Sequence, residues 1–254
     1  MLFLRFAAVS VLATAVASGA TAQELRIGLQ SDSDVLDPDQ SRTFVGEIVF
    51  TALCDKLVDI TPDLELTPQL ATDWKWSDDG TSLTFNLRDD VTFHDGTPFD
   101  AEAVAYNINR SLTLEESRRK SDLASVTGTE VLGPHEIRIN MDHPDAALLA
   151  EMANRPGMMV SPEAARATGA DFGNNPICSG PFRFVDRVAQ DRIVLERFED
   201  YWNADEIHLD RVVYLPIPDT TVRLANLQSG DLDLIERLAA SDLEQTQEDE
   251  GIEV

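Results

Sequence analysis

The sequence predicts an α/β protein, a mixed sheet layered with helices and carrying a strand-rich insertion. Three observations predict it. Short runs such as Glu24 to Leu29 and Ser82 to Leu87 alternate with the two-residue period of half-buried strands. Other segments have helical spacing and begin at residues suited to capping. From about Thr61 to Asn174, paired strand runs separated by turn residues change the character of the chain.

Glu24 to Leu29 is the first strand, followed by the polar stretch Gln30 to Asp34 and by Leu36-Asp37-Pro38. Phe44, Ile48, Ala52 and Leu53 predict a helix within 44–57 that packs on that strand. Trp74 to Ser77 and Ser82 to Leu87 flank Asp78-Asp79-Gly80, a strong hairpin turn. Phe93 to Pro98 is a second turn, and Asp100 then caps a helix from Ala101 to Leu112 whose buried stripe is Val104, Ile108 and Leu112. Glu130 to Met141 reads as a hairpin turning at Gly133-Pro134, and Ala146 to Ala153 as a short apolar helix. Ser161-Pro162-Glu163 opens another helix, with a capping hydroxyl before proline. Phe182 to Val185 and Arg192 to Arg197 form a hairpin, and Arg211 to Leu215 a strand. Asp219 caps a helix that reaches Ser229 and stops at Gly230, and Leu232 to Ile235 returns as a strand.

The 254 residues include 46 acidic and 20 basic side chains, a net charge of −26. That excess argues against nucleic acid and anionic membranes as partners, because their phosphates would be repelled. Met1 to Ala22 carries Arg5 as its only charge, an apolar stretch, and a small-residue end at Ala20-Thr21-Ala22. It reads as a leader cleaved before Gln23 rather than an anchor, since the apolar run is short for a bilayer and contains Ser10, Thr14 and Ser18. No cysteine sits at the proposed cut to take a lipid, so the expected location is the Gram-negative periplasm. Cys54 and Cys178 are the only cysteines. An even count in an oxidising compartment favours a disulfide; two buried thiols or a metal pair are the alternatives.

No catalytic centre is legible. His94, His135, His143 and His208 form no ligand pair at helical spacing, so neither a metal site nor a cofactor is expected. His94-Asp95 is half of a triad on paper, but it lies in a turn-forming string where loop capping is the better reading. Asp78-Asp79 and Asp89-Asp90 read as solvated loop charge. Asn109-Arg110-Ser111 matches a glycosylation sequon inside a helix and reads as chance. Trp74, Trp76 and Trp202 would serve packing before ligand stacking.

Several strings in order carry a resemblance: Leu36-Asp37-Pro38, Leu66 to Trp74, Trp76 to Arg88, Val91 to Val104, Asn175 to Phe182, Asp200-Tyr201-Trp202 and Pro218 to Ile235. The mature chain resembles the extracellular solute-binding proteins of family 5, the dipeptide-, oligopeptide- and nickel-binding components of ABC importers. The resemblance implies one lobe of a type II periplasmic binding protein, in a family whose members are about twice as long. It divides the chain into a leader over 1–22, lobe core over 23–60, the inserted subdomain over 61–174, and a second core segment over 175–254 that begins the crossover to a second lobe beyond Val254. It also implies that this half leaves apolar surface or sheet edge uncovered.

The function implied is capture of a peptide or similar small solute by a monomer, without covalent chemistry, and delivery to a membrane permease with its ATPase. The alternatives are an exported peptidase with catalytic residues elsewhere, or a half-protein that binds nothing. Ligand-facing loops are expected at Ser31, Asp32, Ser33 and Asp34, after the first strand, and at Cys178, Ser179 and Gly180, where glycine lets backbone donors approach a ligand. A Cys54–Cys178 bridge would pin the second loop.

Overall fold

The computed structural model describes residues 23–249 and 251–254, so the leader expected over 1–22 lies outside the described residues. Two sheets organise the chain. The first has five strands: β1 (Glu24–Leu29), β8 (Phe182–Val188), β9 (Arg192–Arg197), β10 (Arg211–Pro216) and β11 (Leu234–Ile235). Their order is β11-β1-β10-β9-β8, with β1 parallel to both neighbours and the β8–β9 hairpin antiparallel beyond β10. β11 is two residues shorter than the alternating run suggested, because Leu232 turns inward and is buried before pairing begins.

The helix after β1, α1 (Phe44–Leu53), is capped by Thr43, whose Oγ1 accepts from Gly46 N at 3.2 Å. It ends four residues sooner than 44–57 allowed, since Cys54 leaves in extended conformation. Its stripe is also rotated from expectation. Val45, Val49, Phe50 and Leu53 are buried, whereas Phe44 is 67% exposed. Each of those buried side chains contributes about 1.5–3 kcal/mol.

The second sheet is antiparallel, in the order β4 (Ala71–Trp76), β5 (Ser82–Leu87), β7 (Glu136–Met141), β6 (Val126–Gly133). Leu83, Phe85 and Leu87 face one side with Ile137 and Ile139, and α2 (Ala101–Thr113) packs there through Val104 and Ile108. A ribbon of β2 (Val58–Ile60) and β3 (Leu66–Pro68) leads into this sheet. The short helix α3 (Leu148–Glu151) covers only part of 146–153, and a separate 3-10 turn over Arg155–Gly157 follows it. α4 (Pro162–Thr168) follows, capped by Ser161. α5 (Thr220–Ser229) runs from the Asp219 cap to Gly230, and α6 (Leu243–Gln247) lies near the end.

Two apolar clusters result. One gathers Leu57, Leu83, Phe85, Phe93, Phe99 and Ile108; the other gathers Leu29, Leu36, Val49, Phe50, Leu195 and Tyr214. Polar pins join them. Arg110 of α2 reaches Asp37 and Asp39 in the loop after β1. Cys54 and Cys178 are disulfide-bonded, with Cα atoms 4.9 Å apart. No helix among the described residues is long and apolar enough to cross a membrane.

Candidate functional site

The three parallel strands all end at one edge of the five-stranded sheet, and in open sheets of parallel strands ligands settle outside such carboxyl ends. At this edge β1 gives way to Gln30, β10 to Ile217 and β11 to Glu236. Ile217 N donates to Leu29 O at 2.8 Å and Glu236 N to Gly28 O at 3.0 Å, so all three loops leave in register. The Glu236 carboxylate accepts from Gln30 N and Gln30 Nε2, both at 2.9 Å.

The segment after β1 bends around its own side chains. Asp32 is buried and accepts from Arg187 Nη2 at 2.9 Å and Gln190 N at 3.0 Å, both on the β8–β9 hairpin. Arg187 also donates to the Ser33 carbonyl, and Ser33 Oγ donates to Val35 O at 3.1 Å. Asp34 accepts from Ser41 Oγ at 2.7 Å, Arg42 N at 2.9 Å and Thr43 Oγ1 at 3.2 Å. Partial burial pushes its carboxyl upward, but these bonds outweigh that and hold it below the usual range. Ser31 is half-buried.

Cys178, Ser179 and Gly180 are buried. Gly180 does permit a close backbone approach, but to the end of α1: its N–H donates to Leu53 O at 2.9 Å, and a Cβ there would meet Leu53 C at 2.6 Å. Cys178 N donates to His94 Nδ1 at 3.3 Å, and Ser179 Oγ donates to Met159 O at 3.4 Å. Among the described residues no hydrogen bond links this segment to Ser31–Asp34.

His94 is a strut. Because Nδ1 accepts from Cys178, the proton lies on Nε2, which bonds Gly180 O at 3.0 Å. Asp95 accepts from Thr97 and from Ser161 Oγ and caps its turn, so His94-Asp95 forms no triad. Burial pulls the imidazole down to about 4. Asp55 joins the clusters in a similar way, accepting from Trp202 Nε1 at 2.7 Å, Tyr201 Oη at 3.2 Å and Gln69 Nε2 at 3.2 Å. Burial pushes its carboxyl up to about 7 despite those donors. Trp202 thus serves packing, with Arg88 lying 3.8 Å above its ring.

These two groups titrate in opposite senses. Asp55, raised from 3.8, contributes stability that is complete below its unfolded value and is lost as pH rises through about 7. His94, lowered from 6.5, contributes stability that is complete above that value and is lost as pH falls through about 4. At about 1.4 kcal/mol per unit, wild type should lose about 2–3 kcal/mol relative to Asp55→Asn between about pH 5 and 8. Relative to His94→Gln it should lose about 2 kcal/mol between about pH 7 and 5. Urea midpoints against pH read both, and curves parallel to wild type would refute the assignment.

Beside α1 lies an open apolar groove of about 840 Å³, lined by Phe44, Ile48, Phe182, Tyr214, Leu234 and Ile235 among others. Phe44 and Ile48 belong to the face of α1 that the sequence pattern pointed at the core. Among the described residues no group of three or more His, Cys, Asp or Glu is placed to hold a metal.

Residues 65–254 match the bacterial extracellular solute-binding proteins, family 5 middle. The chain is 30% identical over 226 residues to the glutathione-binding protein GsiB of Pectobacterium atrosepticum, covering 88% of this chain and 44% of that protein. It superposes on the murein tripeptide binding protein MppA of Escherichia coli with a TM-score of 0.83 at 24% identity, over 91% of this chain and 49% of that one. It superposes on DppA of Helicobacter pylori, in complex with the peptide STSA, with a TM-score of 0.82 at 24% identity, over 90% of this chain and 50% of that one. The chain spans less than half the length of the curated relatives it matches. The fold is one lobe of a type II periplasmic binding protein.

Proposed function

We propose, because the chain belongs to the bacterial extracellular solute-binding proteins of family 5, that it serves an ABC importer as the component that captures a small peptide and hands it to a membrane permease and its ATPase. The observation that carries this reading is the family match over residues 65–254, three-quarters of the chain. The carboxyl edge of β10, β1 and β11 is compatible with it, as the wall of a cleft. Relatives in this family are binding proteins rather than enzymes. Their names favour a tripeptide of the glutathione class as the first ligand to try.

In this reading the protein is exported through its 1–22 leader and works in the periplasm. A second lobe closes over the ligand, since differential affinity for the closed state lets a permease sense loading. We assign Ser31 to Asp34 and Cys178 to Gly180 a part in shaping the cleft wall. Asp32 and Asp34 fix the loop leaving β1, and Gly180 anchors the other segment on α1. Preorganisation of this kind lowers the entropy lost on binding.

The test is a thermal-unfolding and calorimetric titration of the whole gene product with glutathione and a panel of di- and tripeptides. Selective binding to the native state adds RT ln(1 + [L]/Kd), about 2.7 kcal/mol at a hundredfold excess over Kd. An upward shift in Tm with the peptide recovered intact is the expected result. A flat response across the panel, or turnover of a labelled peptide, would reject the reading.

A further inference from the structure

The fully buried guanidinium of Arg223, in the first turn of α5, has no part in the fold's apolar clusters and pairs with no carboxylate among the described residues. Instead it collects carbonyl oxygens. Nη1 donates to Ile217 O at 2.6 Å and to Pro218 O at 3.1 Å, while Nη2 donates to Arg237 O at 3.1 Å. Nε has no partner. Those carbonyls belong to the loops that follow β10 and β11, so a single side chain ties together two of the three loops at the carboxyl edge. The middle strand makes room for it. Gly28 of β1 lies against the Arg223 stem, and a Cβ there would sit 3.5 Å from Arg223 Cδ and 2.6 Å from Leu232 Cδ1.

We infer that Arg223 is a positioning residue for the ligand edge: by drawing these carbonyls inward it turns the peptide N–H groups of Asp219 and Leu238 outward, as donors for a carboxylate or peptide-carbonyl oxygen of the solute. The geometry follows from the trans peptide, in which C=O and N–H of one unit point in opposite directions. Pro218 O pointing at Arg223 sends Asp219 N–H away from it, and Arg237 O does the same for Leu238 N–H. Neither amide has an acceptor among the described residues. Because both carbonyls point to one guanidinium, the two N–H groups leave it on separate lines, one from each loop, and each is a backbone donor of the kind that orients a bound small molecule. A planar fork suits this task, because one guanidinium satisfies three carbonyls in fixed directions where an ammonium presents a single point. The buried charge is met by three carbonyl dipoles rather than by a carboxylate, so the side chain's hydrogen bonds all fall on the backbone of the edge loops.

The inference rests on the peptide-binding reading for its ligand but not for its geometry, and the test separates the two. Arg223→Lys and Arg223→Met are compared with wild type in the whole chain, at a temperature where all are folded. Hydrogen exchange should speed up at least tenfold at the Ile217 and Glu236 amides, which hold these loops in register, and stay unchanged at Leu83 in the distant sheet. The Kd for glutathione per folded molecule should weaken at least tenfold in Arg223→Met and less in Arg223→Lys. A merely packing role would lower Tm while leaving Kd and the local exchange pattern alone, and that result would overturn the inference. If wild type does not bind glutathione, the proposed ligand class fails while exchange still decides the role of Arg223; unchanged rates at Ile217 and Glu236 in the Lys variant then reject it even if the Met variant does not fold.

Discussion

Replacing Arg110 with alanine should destabilise the lobe by about 3–5 kcal/mol, because it leaves two carboxylates buried without their cation. Asp37 is wholly buried and receives both guanidinium nitrogens, at 2.7 and 3.1 Å. Asp39 receives the same Nη1 at 2.5 Å and Ser111 Oγ at 2.6 Å. Burial raises the Asp39 carboxyl even against the pull of Arg110, as expected for two anions sharing one cation. The cluster joins the loop after β1 to α2, so its loss should loosen α2 from that loop as well as lower global stability. Arg110→Lys keeps the charge but loses the fork, and should fall between wild type and alanine. The triple variant Asp37→Asn, Asp39→Asn, Arg110→Met removes all formal charge and should recover part of the loss, since the penalty comes from unpaired charge rather than from a missing attraction. Urea unfolding of the three variants measures this. A cost below about 1 kcal/mol for Arg110→Ala would show that water or relaxation compensates the carboxylates.

What the sequence made legible was local. Asp100 accepts from Ala103 N, Ser161 from Ala164 N and Asp219 from Val222 N, each three residues on, so the caps of α2, α4 and α5 could be read from spacing alone. The stripe of α1 could not. Apolar residues occur nearly all round that helix, so periodicity left its buried face undetermined, and packing chose Val45, Val49 and Phe50 over Phe44 and Ile48. The polar stretch Gln30 to Asp34 does follow β1, but the partners that hold it were out of reach. Arg187 meets Asp32 across 155 positions, and nothing near either residue marks the pair. Gly180 signalled a close backbone approach without naming Leu53 as its object. Nothing in the spacing of α5 singles out Arg223, whose burial depends on the loops that follow β10 and β11. Long-range polar pairing, which positions the candidate site, leaves no periodic trace.

Removing the Cys54–Cys178 bridge should cost about 4–5 kcal/mol, because the link closes a loop of more than a hundred residues in the unfolded chain. The sequence separation is 124, and the two cysteines flank the segment that carries the four-stranded sheet. In the folded protein their surroundings are already tied. Cys54 N donates to Phe50 O, Gly180 N to Leu53 O and His94 N to Cys178 O. Breaking the bridge should therefore leave native geometry nearly intact and act mainly on the unfolded ensemble, which gains freedom as the ends of the closed loop separate. Alanine is the replacement of choice, since Cys54 and Cys178 are 1% and 0% exposed and a serine hydroxyl would be buried there. The double variant should show a larger urea m-value, from a more expanded unfolded state. Its Tm should fall by roughly 10–20 °C for a domain of this size. Each single alanine variant should lose nearly as much as the double, because either one opens the loop. If the single variants instead lose far less than the double, or m is unchanged, the stabilisation resides in packing around the sulfurs rather than in the closed loop.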